Sequence, residues 1–144
     1  MLKKLKDRKV PINGVGLQGH WSIYEPTAQA LEESIMKFAD LGLAIQFTEV
    51  DVSIYPKEHE HRIRRDTDAG KFTPELNDKQ AAQYTMLFSV FRKHRDKITG
   101  ITFWNLTDKH SWLDDFPVPG WKDYPLLFDQ TSQPKRAFRG VVNF

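Results

Sequence analysis

Three short apolar runs, residues 14–18, 43–50 and 98–104, are each followed later in the chain by apolar residues at helical spacing, and this alternation limits the fold more than any other feature. Runs this short and continuous suit strands buried on both faces. After the first, Pro26 and Thr27 start a helix whose face is Leu31, Ile35, Phe38 and Ala39, with Gly42 as its stop. After the second, Asn77, with Gln80 three residues on, is expected to cap a helix with the stripe Ala81, Tyr84, Leu87, Phe88 and Phe91, ending near Asp96. Pro134 to Phe144 reads as a short final helix. Strand and helix in this order imply parallel strands joined by right-handed crossovers.

The connections are unequal. Residues 55–76 contain Pro56, Gly70, Pro74 and many charges, and read as a long loop with a helical turn around Ile63. Residues 105–133 form a second long, aromatic-rich connection. At the other end, Leu2 and Leu5 among Lys3, Lys4, Lys6, Arg8 and Lys9 suit the last turns of a helix, stopped by Pro11, whose basic side chains are solvated and complement its dipole.

Polar or aromatic residues close each apolar run: Gln18 and His20, Glu49 and Asp51, then Trp104. In parallel α/β folds, and most consistently in eight-unit barrels, the C-terminal strand ends carry the site. His20 and Trp21 are expected to leave the first strand. Side chains alternate along a strand, so Glu49 and Asp51 face one way if the backbone stays extended, and a neighbouring strand puts His20 beside both. A carboxylate on a buried strand needs hydrogen bonds, and an imidazole between the two supplies them. Such a cluster serves either as a polar knot over the core or as an active site, and the spacing leaves both open. Trp104 and Trp112, each taken singly, read first as core aromatics and second as part of that site.

Composition narrows the remaining chemistry. Lys and Arg total 21 against 19 Asp and Glu, a net charge of +2, which implies neither a nucleic-acid nor a membrane partner. No run approaches the length of a membrane span, and the first residues lack a signal-peptide core. Cysteine is absent, which excludes disulfides and thiolate metal sites. His59-Glu60-His61 lacks the i, i+4 spacing of a zinc-hydrolase helix and reads as a solvated loop, and Gly14 and Gly16 lack the rest of a dinucleotide fingerprint.

Four stretches taken together resemble glycoside hydrolase family 10, the barrel-fold endo-1,4-β-xylanases. They are Gly14-Val15-Gly16-Leu17-Gln18-Gly19-His20, Thr48-Glu49-Val50-Asp51, Phe103-Trp104-Asn105-Leu106 with Ser111-Trp112-Leu113, and Tyr124-Pro125-Leu126-Leu127-Phe128-Asp129. Their order and spacing resemble the sixth to eighth strands of that family. The resemblance implies that residues 1–144 are the C-terminal part of the catalytic domain, an incomplete (β/α)8 barrel of strands 6 to 8 with their helices. It implies Glu49 as the nucleophile of a retaining reaction, His20 and Asp51 as its supports, Gln18 as a sugar contact, and Trp104 and Trp112 as platforms for xylose rings. It further implies xylan and xylo-oligosaccharides as ligands, chemistry that needs no metal or organic cofactor, and a secreted protein. Arg136, in place of a common proline, and Trp121, in place of a common basic residue, depart from the pattern.

A retaining glycosidase needs a second carboxyl group. In the family that glutamate closes the fourth strand in a Trp-Asp-Val-Val-Asn-Glu type motif, which nothing in this sequence matches. Three strands cannot close a barrel, so both edges and an apolar face are expected to stand uncovered. On this reading Met1 falls within the fifth helix, and the chain is a gene fragment, a truncated product or one piece of a split enzyme. It then acts only with the missing N-terminal part of the barrel, or survives as a xylan-binding fragment or an inert, self-associating remnant.

Overall fold

The computed structural model describes residues 1–68 and 70–143. Three strands, β1 (Gly14–Ser22), β2 (Ala44–Ser53) and β3 (Ile98–Phe103), form one parallel sheet in the order β1-β2-β3. Four α-helices accompany them: α1 (Leu2–Asp7), α2 (Ala28–Ala39), α3 (Pro74–Lys93) and α4 (Arg136–Val142). This is the expected alternation of strand and helix, in an open three-stranded sheet.

Ile45, Phe47 and Val50 of β2 are buried with Leu31 and Ile35 of α2 and Tyr84, Leu87, Val90 and Phe91 of α3 in one core. Trp21 of β1 joins it, 5.7 Å from Phe47 and 6.1 Å from Phe91 between ring centroids. His20 and Trp21 therefore do not leave the strand, because β1 stays paired to β2 as far as Ser22 opposite Ser53.

The opposite face differs from expectation. Gly14, Gly16, Gln18, Ala44, Gln46, Thr99 and Thr102 are its exposed strand residues, so it is small and polar rather than apolar. Ile45, Phe47, Val50 and Val52 of β2 turn to the helices, where burial stabilises them.

Helix boundaries follow local chemistry. Thr27 caps α2, its Oγ1 accepting from Ala30 N at 3.2 Å, and Gly42, at φ 67°, reverses the chain beyond it. α3 begins four residues earlier than a cap at Asn77 predicts. Thr73 is the cap, accepting from Leu76 N at 3.3 Å, and Pro74 supplies a first position that needs no N–H. Gln80 instead works in the interior, where its Nε2 donates to Val52 O at 2.8 Å and Tyr124 O at 2.6 Å.

The turn expected at Ile63 lies at Asp66–Asp68, where Asp68 accepts from Arg65 N at 2.7 Å. Arg62 holds Asp68 and Glu58 together, bringing the Asp68 pKa down to about 2. The aromatic-rich connection contains two short 3₁₀ turns, Asp108–His110 and Trp112–Asp114. α4 starts at Arg136, whose guanidinium pairs with Asp78 of α3, and Phe144 lies outside the described residues.

Candidate active site

The strand ends meet around His20. Its Nδ1 lies 3.0 Å from Asp51 Oδ2 and its Nε2 lies 3.1 Å from Glu49 Oε2. Gln18 Nε2 donates to the other oxygen of Glu49 at 2.9 Å, and Trp112 Nε1 donates to Asp51 Oδ2 at 2.8 Å. Glu49 is thus held at both oxygens while 23% of its side chain stays exposed; Asp51 is fully buried. Trp104, 48% exposed, stands edge-on to the imidazole at 5.8 Å. Trp112 lies 4.9 Å from the imidazole and stacks on Phe116 at 5.5 Å. All six residues singled out from the sequence converge.

They converge through a backbone irregularity, not through an extended strand. Gln18 pairs with Thr48 and His20 with Asp51, so Glu49 and Val50 together oppose Gly19 alone. On the other side Phe47 pairs with Ile101 and Val50 with Phe103, so the extra residue interrupts both ladders. This is a β-bulge, and Glu49 at its centre has φ 58°, in the left-handed region that non-glycine residues rarely occupy. Strain of this kind costs roughly 1–3 kcal/mol and concentrates where function re-aims a side chain. Gly19 is required opposite the bulge, since a Cβ there would meet Val50 Cγ2 at 2.9 Å.

Hydrogen bonding to Asp51 is the largest influence on the His20 pKa and, with the charge of Asp51 and the bond to Glu49, raises it; burial and the Lys57 ammonium oppose the rise. As imidazolium, His20 donates to both carboxylates. The sign follows: a folded-state pKa above 6.5 means this contribution to stability is complete below about pH 6.5 and is lost as pH climbs through the higher folded value. Urea unfolding across that window is therefore expected to show falling stability in the wild-type chain and a flatter profile in His20→Gln. Equal slopes would assign the titration to another group.

Asp123 was not singled out by sequence, and Trp121 stood out there only as a departure from the family pattern. Asp123 is buried behind the site, accepting from Ser53 Oγ at 2.5 Å, Ile54 N at 3.2 Å and Tyr124 N at 2.7 Å, and burial pushes its pKa up to about 6. Trp121 stacks on Tyr55 with centroids 3.9 Å apart, under the Arg62 guanidinium at 5.6 Å. These contacts tie the 54–73 loop to the 105–135 connection. Nothing in the spacing of Asp123 or Trp121 marks them, because their partners are distant in sequence. Among the described residues, no group of three or more His, Cys, Asp or Glu is placed to hold a metal ion, and no helix is long and apolar enough to cross a membrane.

Comparison with known proteins adds a family to this geometry. The sequence model of glycosyl hydrolase family 10 matches residues 1–144. A β-1,4-xylanase of Dictyoglomus thermophilum is 45% identical over 100% of this chain and 40% of its own length. An endo-1,4-β-xylanase of Geobacillus stearothermophilus is 42% identical over 99% of this chain and 42% of its own. The crystal structure of an endo-1,4-β-xylanase from Caldicellulosiruptor owensensis superposes with a TM-score of 0.90 at 44% identity, covering 99% of this chain and 42% of that one. A mutant structure in complex with xylotriose gives the same TM-score, identity and coverage. The chain spans about two fifths of the length of these relatives.

Proposed function

Since the chain belongs to glycosyl hydrolase family 10, we propose that it carries the nucleophile half of an endo-1,4-β-xylanase site, Glu49 being the nucleophile and a second carboxyl group coming from the part of the barrel outside these residues. The observation that carries this reading is the treatment of Glu49: a partly exposed carboxylate on a strained bulge, with a side-chain donor on each oxygen. A merely structural carboxylate gains nothing from strain that keeps it open to ligand. The relatives compared above are xylanases by name, which supplies the substrate class.

In the proposed reaction a Glu49 oxygen attacks the anomeric carbon of a xylose unit, and the bond to the leaving oxygen breaks as the second carboxyl group protonates it. That group, about 5–5.5 Å from Glu49, then removes a proton from water, which displaces Glu49 and restores the original configuration. Asp51 holds the imidazole from behind, and His20 and Gln18 fix the attacking carboxylate. Trp104 and Trp112 offer faces to the apolar sides of the sugar. Of the nearby carboxyl groups, Asp51 is fully buried behind His20, and Asp123 is buried and bonded to Ser53 and two backbone N–H groups, so neither presents an acid to a glycosidic oxygen. Xylan, a polymer too large to enter a cell, places this work outside it.

Reconstitution tests the reading. Mixing the chain with the preceding part of the Geobacillus stearothermophilus relative is expected to release reducing sugar from xylan, while each piece alone stays at background. Activity from the chain by itself would mean that a carboxylate within it serves as the acid, and would overturn the division of labour.

A further inference from the structure

We infer that Trp121 and Arg62 are positioning residues: as a stacked pair they fix the segment that carries Trp112, and through it the face that Trp112 offers to substrate. The inference rests on the function proposed above and extends it to two residues outside the Glu49 cluster. Residues 112–121 close on themselves, with Gly120 N donating to Asp114 O at 2.8 Å and Trp121 N to Val118 O at 3.1 Å. Trp112 and Trp121 stand at the two ends of this closed segment. At one end Trp112 donates to Asp51 and stacks on Phe116 with ring planes 14° apart. The other end is held from the 54–73 loop.

Arg62 is where that hold converges. Its backbone N donates to Pro117 O at 3.0 Å, inside the closed segment. Its side chain donates to Glu58 through Nε and Nη2 at 2.6 and 2.7 Å, and to Asp68 through Nη1 and Nη2 at 2.5 and 3.0 Å. The edges of the guanidinium plane are thus engaged by carboxylates, and its carbon lies 5.6 Å from the centre of the Trp121 ring. A planar fork can bind two carboxylates and still present a face to an indole, which an ammonium cannot do. Trp121 in turn stacks on Tyr55 at 3.9 Å, and Tyr55 Oη donates to Lys122 O at 3.1 Å. Tyr55 follows β2 by two residues. The stack therefore refers the Trp112 segment to the strand that carries Glu49 and Asp51, and keeps the aromatic face in register with the attacking carboxylate.

Hydrogen exchange of the tryptophan indoles tests this on the 144-residue chain itself, whose four tryptophans give four resolvable signals, with Trp112→Phe assigning the one of interest. Trp121→Ala and Arg62→Lys are each expected to speed exchange of the Trp112 indole N–H about tenfold or more, while the amides of Leu87 and Val90 in the core change less than about twofold. Trp121→Phe, which keeps a ring under the guanidinium, should retain most of the protection. In the reconstituted barrel Trp121→Ala should raise KM for xylan about fivefold or more and leave kcat within about twofold, because a platform adds binding that substrate and transition state share. Unchanged Trp112 exchange in a folded Trp121→Ala, or core amides that accelerate in step with it, would overturn the proposal. So would a fall in kcat at unchanged KM, the mark of a brace whose loss only reduces the active fraction. Selective release of Trp112 in a chain whose reconstituted barrel fails to cleave xylan would keep the positioning of Trp112 and remove the hydrolytic reading, so the two failures are distinct.

Discussion

Glu49→Ala is expected to remove xylan hydrolysis from the reconstituted barrel, by on the order of 10⁴- to 10⁶-fold in kcat, the scale on which deleting a covalent nucleophile acts. Alanine leaves no atom to bond the anomeric carbon, and it leaves Gln18 Nε2 and His20 Nε2 without their acceptors. The effect should appear in kcat far more than in KM, because Trp104 and Trp112 are untouched. Gln18→Ala removes one of the two bonds that hold the carboxylate and should cost much less. If Glu49→Ala and Gln18→Ala were equally mild, Glu49 would be a structural member of a polar knot, and the nucleophile would lie elsewhere. Initial rates on xylan and on a short xylo-oligosaccharide separate these outcomes.

The largest loss of stability is expected at the other end of the long connection. Lys135 is 7% exposed and its Nζ donates to Asp108 Oδ2 at 2.9 Å and Tyr124 O at 2.6 Å, while Asp108 Oδ1 accepts from Leu126 N at 2.8 Å. Burial raises the Asp108 pKa and lowers that of Lys135, so each group alone would resist its charge, and their attraction offsets the penalty. Lys135→Met strands a buried carboxylate without a counter-ion and should destabilise the chain by about 3–5 kcal/mol. The double variant Asp108→Asn, Lys135→Met should recover part of that loss. Urea midpoints measure both. A single-variant loss below about 1 kcal/mol would mean that water reaches Asp108 and that the pair does not anchor the connection carrying Trp112.

What could be read from the sequence was set by local pattern. β2 was legible from its β-branched and aromatic run, and α2 from Leu31, Ile35, Gly42 and a threonine before the first turn. The convergence of Gln18, His20, Glu49 and Asp51 was legible because parallel strands bring their C-terminal ends together. The bulge at Glu49 was not, since it exists only against β1 and β3 and depends on Gly19 having no side chain. The start of α3 was misplaced because Asn77 and Gln80 imitate a capping pair, although Thr73-Pro74 is the stronger signal once the loop before it is known to end there. The uncovered face was expected to be apolar by analogy with buried sheets in general. Gly16, Gln46 and Thr102 show that in this sheet one face of each strand is small or polar. Asp123 carried no sequence signal, because its significance lies in which distant groups meet it.

Covalent trapping at Glu49 tests the central claim most directly. A 2-deoxy-2-fluoro xylobioside with a dinitrophenyl leaving group needs little help from an acid, and its intermediate should persist long enough for intact-mass and peptide analysis of the reconstituted barrel. The account predicts one adduct per chain, on the peptide containing Glu49, and none in Glu49→Ala. Label on a different carboxylate, or catalytic turnover with no label on this chain, would contradict it.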